Sequence, residues 1–89
     1  MAWTINYLKS VQKELKKTDK NGRERIREFL ETKVAHLENP RDLGKPLKGN
    51  KSEFWRYRVG EYRIICSISD SSLTVLVVRI GHRKDVYRN

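Results

Sequence analysis

Residues 54–66, FWRYRVGEYRIIC, decide how the rest of the chain must fold. Apolar residues alternate with polar ones on both sides of Gly60-Glu61, and a two-residue loop with Gly at its first central position suits a tight hairpin turn. Counting outward from that loop, Val59 faces Tyr62, Arg58 faces Arg63, Tyr57 faces Ile64, Arg56 faces Ile65 and Trp55 faces Cys66. Side chains alternate between the faces of a sheet. The register therefore puts Trp55, Tyr57, Ile64 and Cys66 on one side and Arg56, Arg58, Arg63 and Ile65 on the other. Two guanidinium groups then stand opposite each other, and like charges at cross-strand partners cost about a few tenths of a kcal/mol or more. A sequence that keeps such a pair uses the charges for something other than stability.

The flanking segments supply the cover for one face. Trp3, Ile5 and Tyr7 alternate with smaller or polar residues, so residues 2–7 form a half-buried first strand. Helical spacing follows, with Leu8, Val11 and Leu15 on one stripe and Lys9, Lys13, Lys16 and Lys17 elsewhere around the helix. The run DKNG ends it, and Asn21 with Glu24 has the spacing of a capping box that opens a second helix. Ile26, Phe29, Leu30, Val34 and Leu37 continue that helix's stripe until Asn39-Pro40 stops it. Residues 40–52 form a loop rich in Pro, Gly and Lys, and strands follow at about 53–59, 62–69 and 72–80. With the last two joined through DSS, Ile68 faces Leu73, Cys66 faces Val75 and Ile64 faces Val77. The expected fold is α+β in the order β-α-α-β-β-β, a helical hairpin packed on one face of a small, mostly antiparallel sheet. Residues 1–89 make a single domain, since a chain this short buries only about 60–65% of its unfolded surface.

Because the helices cover the Tyr57 face, Arg56, Arg58 and Arg63 lie on the open one. Twenty Lys and Arg against eleven Asp and Glu give a formal charge of +9, a field that attracts polyanions. Guanidinium matches phosphate oxygens with two parallel hydrogen bonds, and a bound polyanion would relieve the Arg58/Arg63 repulsion. Against this stands the plain alternative of a solvated sheet face. The segment GKPLKGNKS has the look of a phosphate-binding loop, but it runs into a strand rather than out of one into a helix. Its Lys45, Lys48 and Lys51 form a basic rim instead. The ending HRKDVYRN adds His82, Arg83, Lys84, Tyr87 and Arg88, an imidazole, cations and a ring able to stack on a base. His36 falls among charged helical turns and belongs to the surface. The single cysteine, Cys66, is a reduced core residue. No metal-ligand spacing, nucleotide fingerprint or paired acids occur, so neither a metal nor a cofactor is expected. No apolar run approaches the ~18 residues of a membrane span, and no signal-peptide pattern is present, so a cytoplasmic location away from membranes is expected.

Taken together, LGKPLKG (43–49), YRVGEYRIIC (57–66) and HRKDVY (82–87), in this order of elements, resemble the RelE family of toxins within the RelE/ParE superfamily. The resemblance implies a toxin of a type II toxin–antitoxin pair that enters the A site of the ribosome. There it would cleave bound mRNA without a metal, by phosphoryl transfer from the 2′-hydroxyl. It also implies roles: Arg56 and Arg58 as the basic positions of the second strand, and Arg63 as the transition-state stabiliser. Arg83 becomes the proton donor to the leaving group and Tyr87 the contact to the base. The family's best-known pattern has lysines on the second strand, and an arginine does not serve as a base. Histidine as a residue type titrates at about 6.5, which makes His82 the candidate for proton transfer. Lys45, Lys48, Lys51, Lys84 and Arg88 would contact RNA or ribosome, and an acidic antitoxin would wrap the basic surface. Two other readings stay open: an inhibitor of DNA gyrase, as in the ParE branch, and a relative that binds RNA or ribosomes without cutting.

Overall fold

The computed structural model describes residues 2–47 and 54–82. Strand β1 (Thr4–Tyr7) leads into helix α1 (Lys9–Lys17) and helix α2 (Lys20–Glu28), and the second helix widens over Phe29–Lys33 and tightens over Val34–His36. After a short helical turn at Pro40–Asp42 come β2 (Lys45–Pro46), β3 (Phe54–Val59), β4 (Tyr62–Ser69) and β5 (Thr74–His82). The strands form one sheet in the order β1-β5-β4-β3-β2, parallel between β1 and β5 and antiparallel elsewhere. The expected α+β fold holds, with one strand more than the sequence suggested, because Lys45-Pro46 pairs with Arg56 and Trp55 at the sheet edge.

The core lies between the helices and one sheet face. Val11, Leu15, Ile26, Leu30 and Val34 pack on Tyr57, Ile64, Cys66, Val75 and Val77, all buried. Each fully buried aliphatic side chain contributes about 1.5–3 kcal/mol. Tyr57, the largest of them, carries a polar tip into this core and satisfies it by donating to the Pro40 carbonyl at 2.7 Å. Trp55 donates through Nε1 to the Leu43 carbonyl at 2.6 Å. These bonds tie the loop after the helices to β3.

The β3–β4 register agrees with the expected one at every pair from Trp55↔Cys66 to Val59↔Tyr62. Three expectations fail locally. Leu8 is 40% exposed rather than on the buried stripe, because it sits in extended conformation before α1 while its N–H donates to the Val77 carbonyl. The Asn21–Glu24 capping box does not form, since Asp19 precedes α2 and Lys20, Asn21 and Gly22 already lie inside it. Asp19, in extended conformation, is the residue that precedes the first turn, and Gly22 lies close under Tyr62, where a Cβ would stand 2.7 Å from the hydroxyl. The third failure is the pairing of β4 with β5. The turn runs from Asp70 to Leu73, whose φ of 49° is unusual for a side-chain-bearing residue. Ile68 therefore pairs with Val75 and Cys66 with Val77. The register then slips once more between Cys66↔Val77 and Ile65↔Arg79, leaving Val78 as the extra residue of a bulge, so that Ile64 pairs with Ile80.

Burial of the Cys66 thiol amid this core pushes its pKa up to about 12. A raised value means that the neutral thiol is favoured by the fold. This contribution to stability is complete below the unfolded value of about 8.5 and fades as pH rises through the folded one. Labelling of the native protein with a thiol reagent at pH 8 should proceed no faster than unfolding exposes the sulfur; rapid labelling of folded protein would contradict the placement.

Candidate nucleic-acid interface

The register fixes which side chains share the open face. One row across four strands consists of Lys45, Arg56, Ile65 and Arg79, each the pairing partner of the next. A second row, two residues nearer the hairpin turn, consists of Arg58, Arg63 and Gly81. The opposed arginines of the sequence are thus part of a two-row array of cations around one apolar residue, Ile65. Lys45, Arg58 and Arg79 are exposed, and Arg56 and Arg63 are partly covered by their neighbours.

Nothing neutralises most of this array. Among the described residues no carboxylate lies within ion-pair distance of Lys45, Arg56, Arg58 or Arg79. The ion pair of the described residues lies elsewhere: Asp70, in the β4–β5 turn, takes a two-pronged contact from Arg41 at 2.9 and 3.1 Å, which holds its carboxyl below the usual range. No group of His, Cys, Asp and Glu able to hold a metal is present among the described residues. The open face therefore offers fixed positive charge and planar donors, chemistry suited to phosphate oxygens rather than to metal ligation.

The structure separates residues that the sequence had grouped. His82 pairs with Tyr62, whose strand neighbour on the same face is the buried Ile64, so the imidazole lies on the helix side. Its ring meets the Tyr62 ring edge-on, with centroids 5.0 Å apart, and lines a cleft of about 250 Å³ with Glu14, Lys17, Thr18 and Asp19. The Tyr62 hydroxyl donates to Asp19 at 3.3 Å, and burial followed by that carboxylate raises its pKa. Arg56, Arg58, Arg63 and Lys45 are together on the open face, and His82 is across the sheet from them. Lys48, Lys51, Arg83, Lys84, Tyr87 and Arg88 lie outside the described residues. Arg79, which sequence reasoning passed over, belongs to the array. Its signal was the broken alternation of VLVVRI (75–80), where two non-core positions separate Val77 from Ile80.

A family model described as the ParE toxin of the parDE type II toxin–antitoxin system matches residues 5–87. The chain belongs to the RelE/ParE family of type II toxins. It is 28% identical to Toxin RelG of Mycobacterium tuberculosis over 88 residues, 99% of each chain. Its fold is similar to the M. tuberculosis RelBE2 toxin–antitoxin complex, with a TM-score of 0.84 at 26% identity, covering 96% of this chain and 95% of that one. It is also similar to the RelB–RelE complex of Methanococcus jannaschii, with a TM-score of 0.69 at 29% identity over 93% and 95% of the chains. In this RelE/ParE fold the rim of the cation array is anchored by Gly44, just before Lys45. Its φ of 77° suits glycine, and a Cβ there would run into the Arg56 carbonyl oxygen. Gly44→Ala should cost about 1–3 kcal/mol of backbone strain and lower the denaturation midpoint; an unchanged midpoint would mean that the β2 edge is not held this way.

Proposed function

We propose that this toxin is a ribosome-dependent, metal-independent endoribonuclease that cuts mRNA in the A site. The observation that carries the reading is the unneutralised array of Lys45, Arg56, Arg58 and Arg79 around Arg63 on the open sheet face. In the proposed reaction the 2′-oxygen attacks the adjacent phosphorus, the bond from phosphorus to the 5′-oxygen breaks, and a 2′,3′-cyclic phosphate and a 5′-hydroxyl result. Negative charge on the non-bridging oxygens grows between the two states. Arg58 and Arg63 face each other across β3 and β4 and are well set to bracket that charge. Arginine stays protonated at neutral pH, so Arg58 and Arg63 position and stabilise, and the proton of the 2′-hydroxyl passes to water or to the ribosome's own RNA. In keeping with the family resemblance, Arg83 is assigned proton donation to the leaving 5′-oxygen and Tyr87 contact with the base. His82 receives no part in proton transfer, because its ring is on the helix side of the sheet.

The charge also suggests the partner. A formal +9 left bare would bind nucleic acid without discrimination. The relatives solved as toxin–antitoxin complexes support an antitoxin as partner, and the charge of this chain favours one with an acidic segment that orders on binding. A second reading, inhibition of DNA gyrase, is favoured by the matched model's description as a ParE toxin. Primer extension on an mRNA translated in vitro separates the two. Stops within codons support the nuclease, whereas intact message together with trapped, cleaved supercoiled DNA supports the gyrase inhibitor. Arg63→Ala should lower single-turnover cleavage by about 10²–10³-fold, the usual loss for one stabiliser of a developing oxyanion. The variant should keep its circular dichroism spectrum; full cleavage by a folded Arg63→Ala protein would overturn the assignment of this face.

A further inference from the structure

The bulge at Val78 reshapes the open face where a substrate would lie. Without the extra residue, strict alternation from the buried Val75 and Val77 would put Arg79 on the helix face and Ile80 on the open one. The bulge reverses this, so that Val78 and Arg79 together oppose Ile65, and Ile80 turns toward the core. Arg79 thereby joins the face that carries Arg56, Arg58 and Arg63. A bulge re-aims a side chain at the expense of one ladder position, and here the side chain gained is a cation.

Four features around Arg79 point to a ligand of defined shape. Opposite Arg63 the strand carries Gly81, which has no side chain. Arg79 stands two residues before Gly81 and is the diagonal neighbour of Arg63, a separation of about 7–8 Å between backbones. This is comparable to the phosphate-to-phosphate step of an extended single strand. Between the two cations lies Ile65, half-buried, an apolar floor for a sugar or a base edge. Finally, β1 stops pairing at Val77, so Val78–His82 runs beyond its parallel neighbour, and this side of β5 faces a cleft of about 350 Å³ whose other wall is Ser10, Val11 and Glu14 of α1.

We propose that Arg79, with Ile65 and the bare backbone of Gly81, forms a subsite for the phosphodiester next to the one assigned to Arg58 and Arg63. The ligand is single-stranded RNA, and Arg79 is a binding residue that sets its register, one nucleotide away from the reacting bond. The inference rests on the nuclease reading for the identity of the central phosphate, but its test does not need cleavage. Binding is measured with a short single-stranded oligoribonucleotide that is 2′-O-methylated throughout, at several salt concentrations. Wild-type protein should bind with an affinity that falls linearly in log[salt]. Arg79→Gln should weaken binding about tenfold and reduce the slope by about 0.7, the value for one neutralised phosphate on a single strand. Arg79→Lys should restore the slope, since charge alone sets it, while recovering only part of the affinity because the fork geometry is gone. Lys16→Gln, a charge removed from the exposed side of α1, serves as the comparison. Arg79→Gln with unchanged affinity and slope overturns the subsite, as does a loss no larger than that of Lys16→Gln, or wild-type binding without salt dependence. If no cleavage is found with any ribosome, the nuclease reading falls while this binding result still stands or fails alone.

Discussion

A five-stranded sheet covered by two helices has one dry face and one wet one, and the hairpin of β3 and β4 decides which residues go where. Its pairing of Tyr57 with Ile64 places an aromatic ring and a branched aliphatic chain in the core. The next pair toward the turn, Arg58 with Arg63, is then forced onto the other face. Because the period along a strand is two, neither pair can move without the other. Burial of Tyr57, Ile64 and Cys66 provides several kcal/mol, so the register survives a repulsion of some tenths of a kcal/mol between guanidinium groups. The core, not the arginine pair, fixes the position of the site.

The remainder of the molecule extends this division. Tyr57 anchors the loop at Pro40, and Trp55 anchors it at Leu43, so that Lys45 reaches the sheet edge opposite Arg56. On the other side β5 brings Arg79 to the same row by means of its bulge. Positive charge is thereby spread across four strands with no compensating carboxylate among the described residues at Lys45, Arg56, Arg58 or Arg79. Such an arrangement is stable enough to fold but gains from any polyanion laid over it. An antitoxin segment and an RNA strand would meet the same electrostatic demand, which gives a physical basis for mutual exclusion between them.

Much of this was legible in the sequence because hairpin geometry is local. Two residues at Gly60-Glu61 and the alternation around them suffice to derive the β3–β4 register and the face of Arg56, Arg58 and Arg63. The helical stripes of Val11 and Leu15 and of Ile26, Leu30 and Val34 were equally plain. What failed depended on contacts distant in sequence. Helix α2 begins at Lys20, earlier than the Asn21–Glu24 spacing implies, and lays Gly22 close to Tyr62, forty residues further on. The β4–β5 register depends on a turn through Leu73 and on the bulge at Val78, and a strictly alternating strand cannot express either. One slipped residue is enough to exchange the faces of Arg79 and Ile80 and to set His82 beside Tyr62 instead of the arginines. The uneven spacing of Val75, Val77 and Ile80 was the available clue, since core positions that fall two and then three apart mark an inserted residue.

The central claim is that the open face keeps mutually repelling cations for a polyanion and not for the fold. Unfolding of Arg58→Gln by denaturant, at low and at high salt, tests it most directly. The account predicts that removing this charge stabilises the protein by about some tenths of a kcal/mol at low ionic strength. The gain should shrink as salt screens the wild-type repulsion. A variant that is less stable than wild type at low salt would show that Arg58 serves the fold, and would contradict the account.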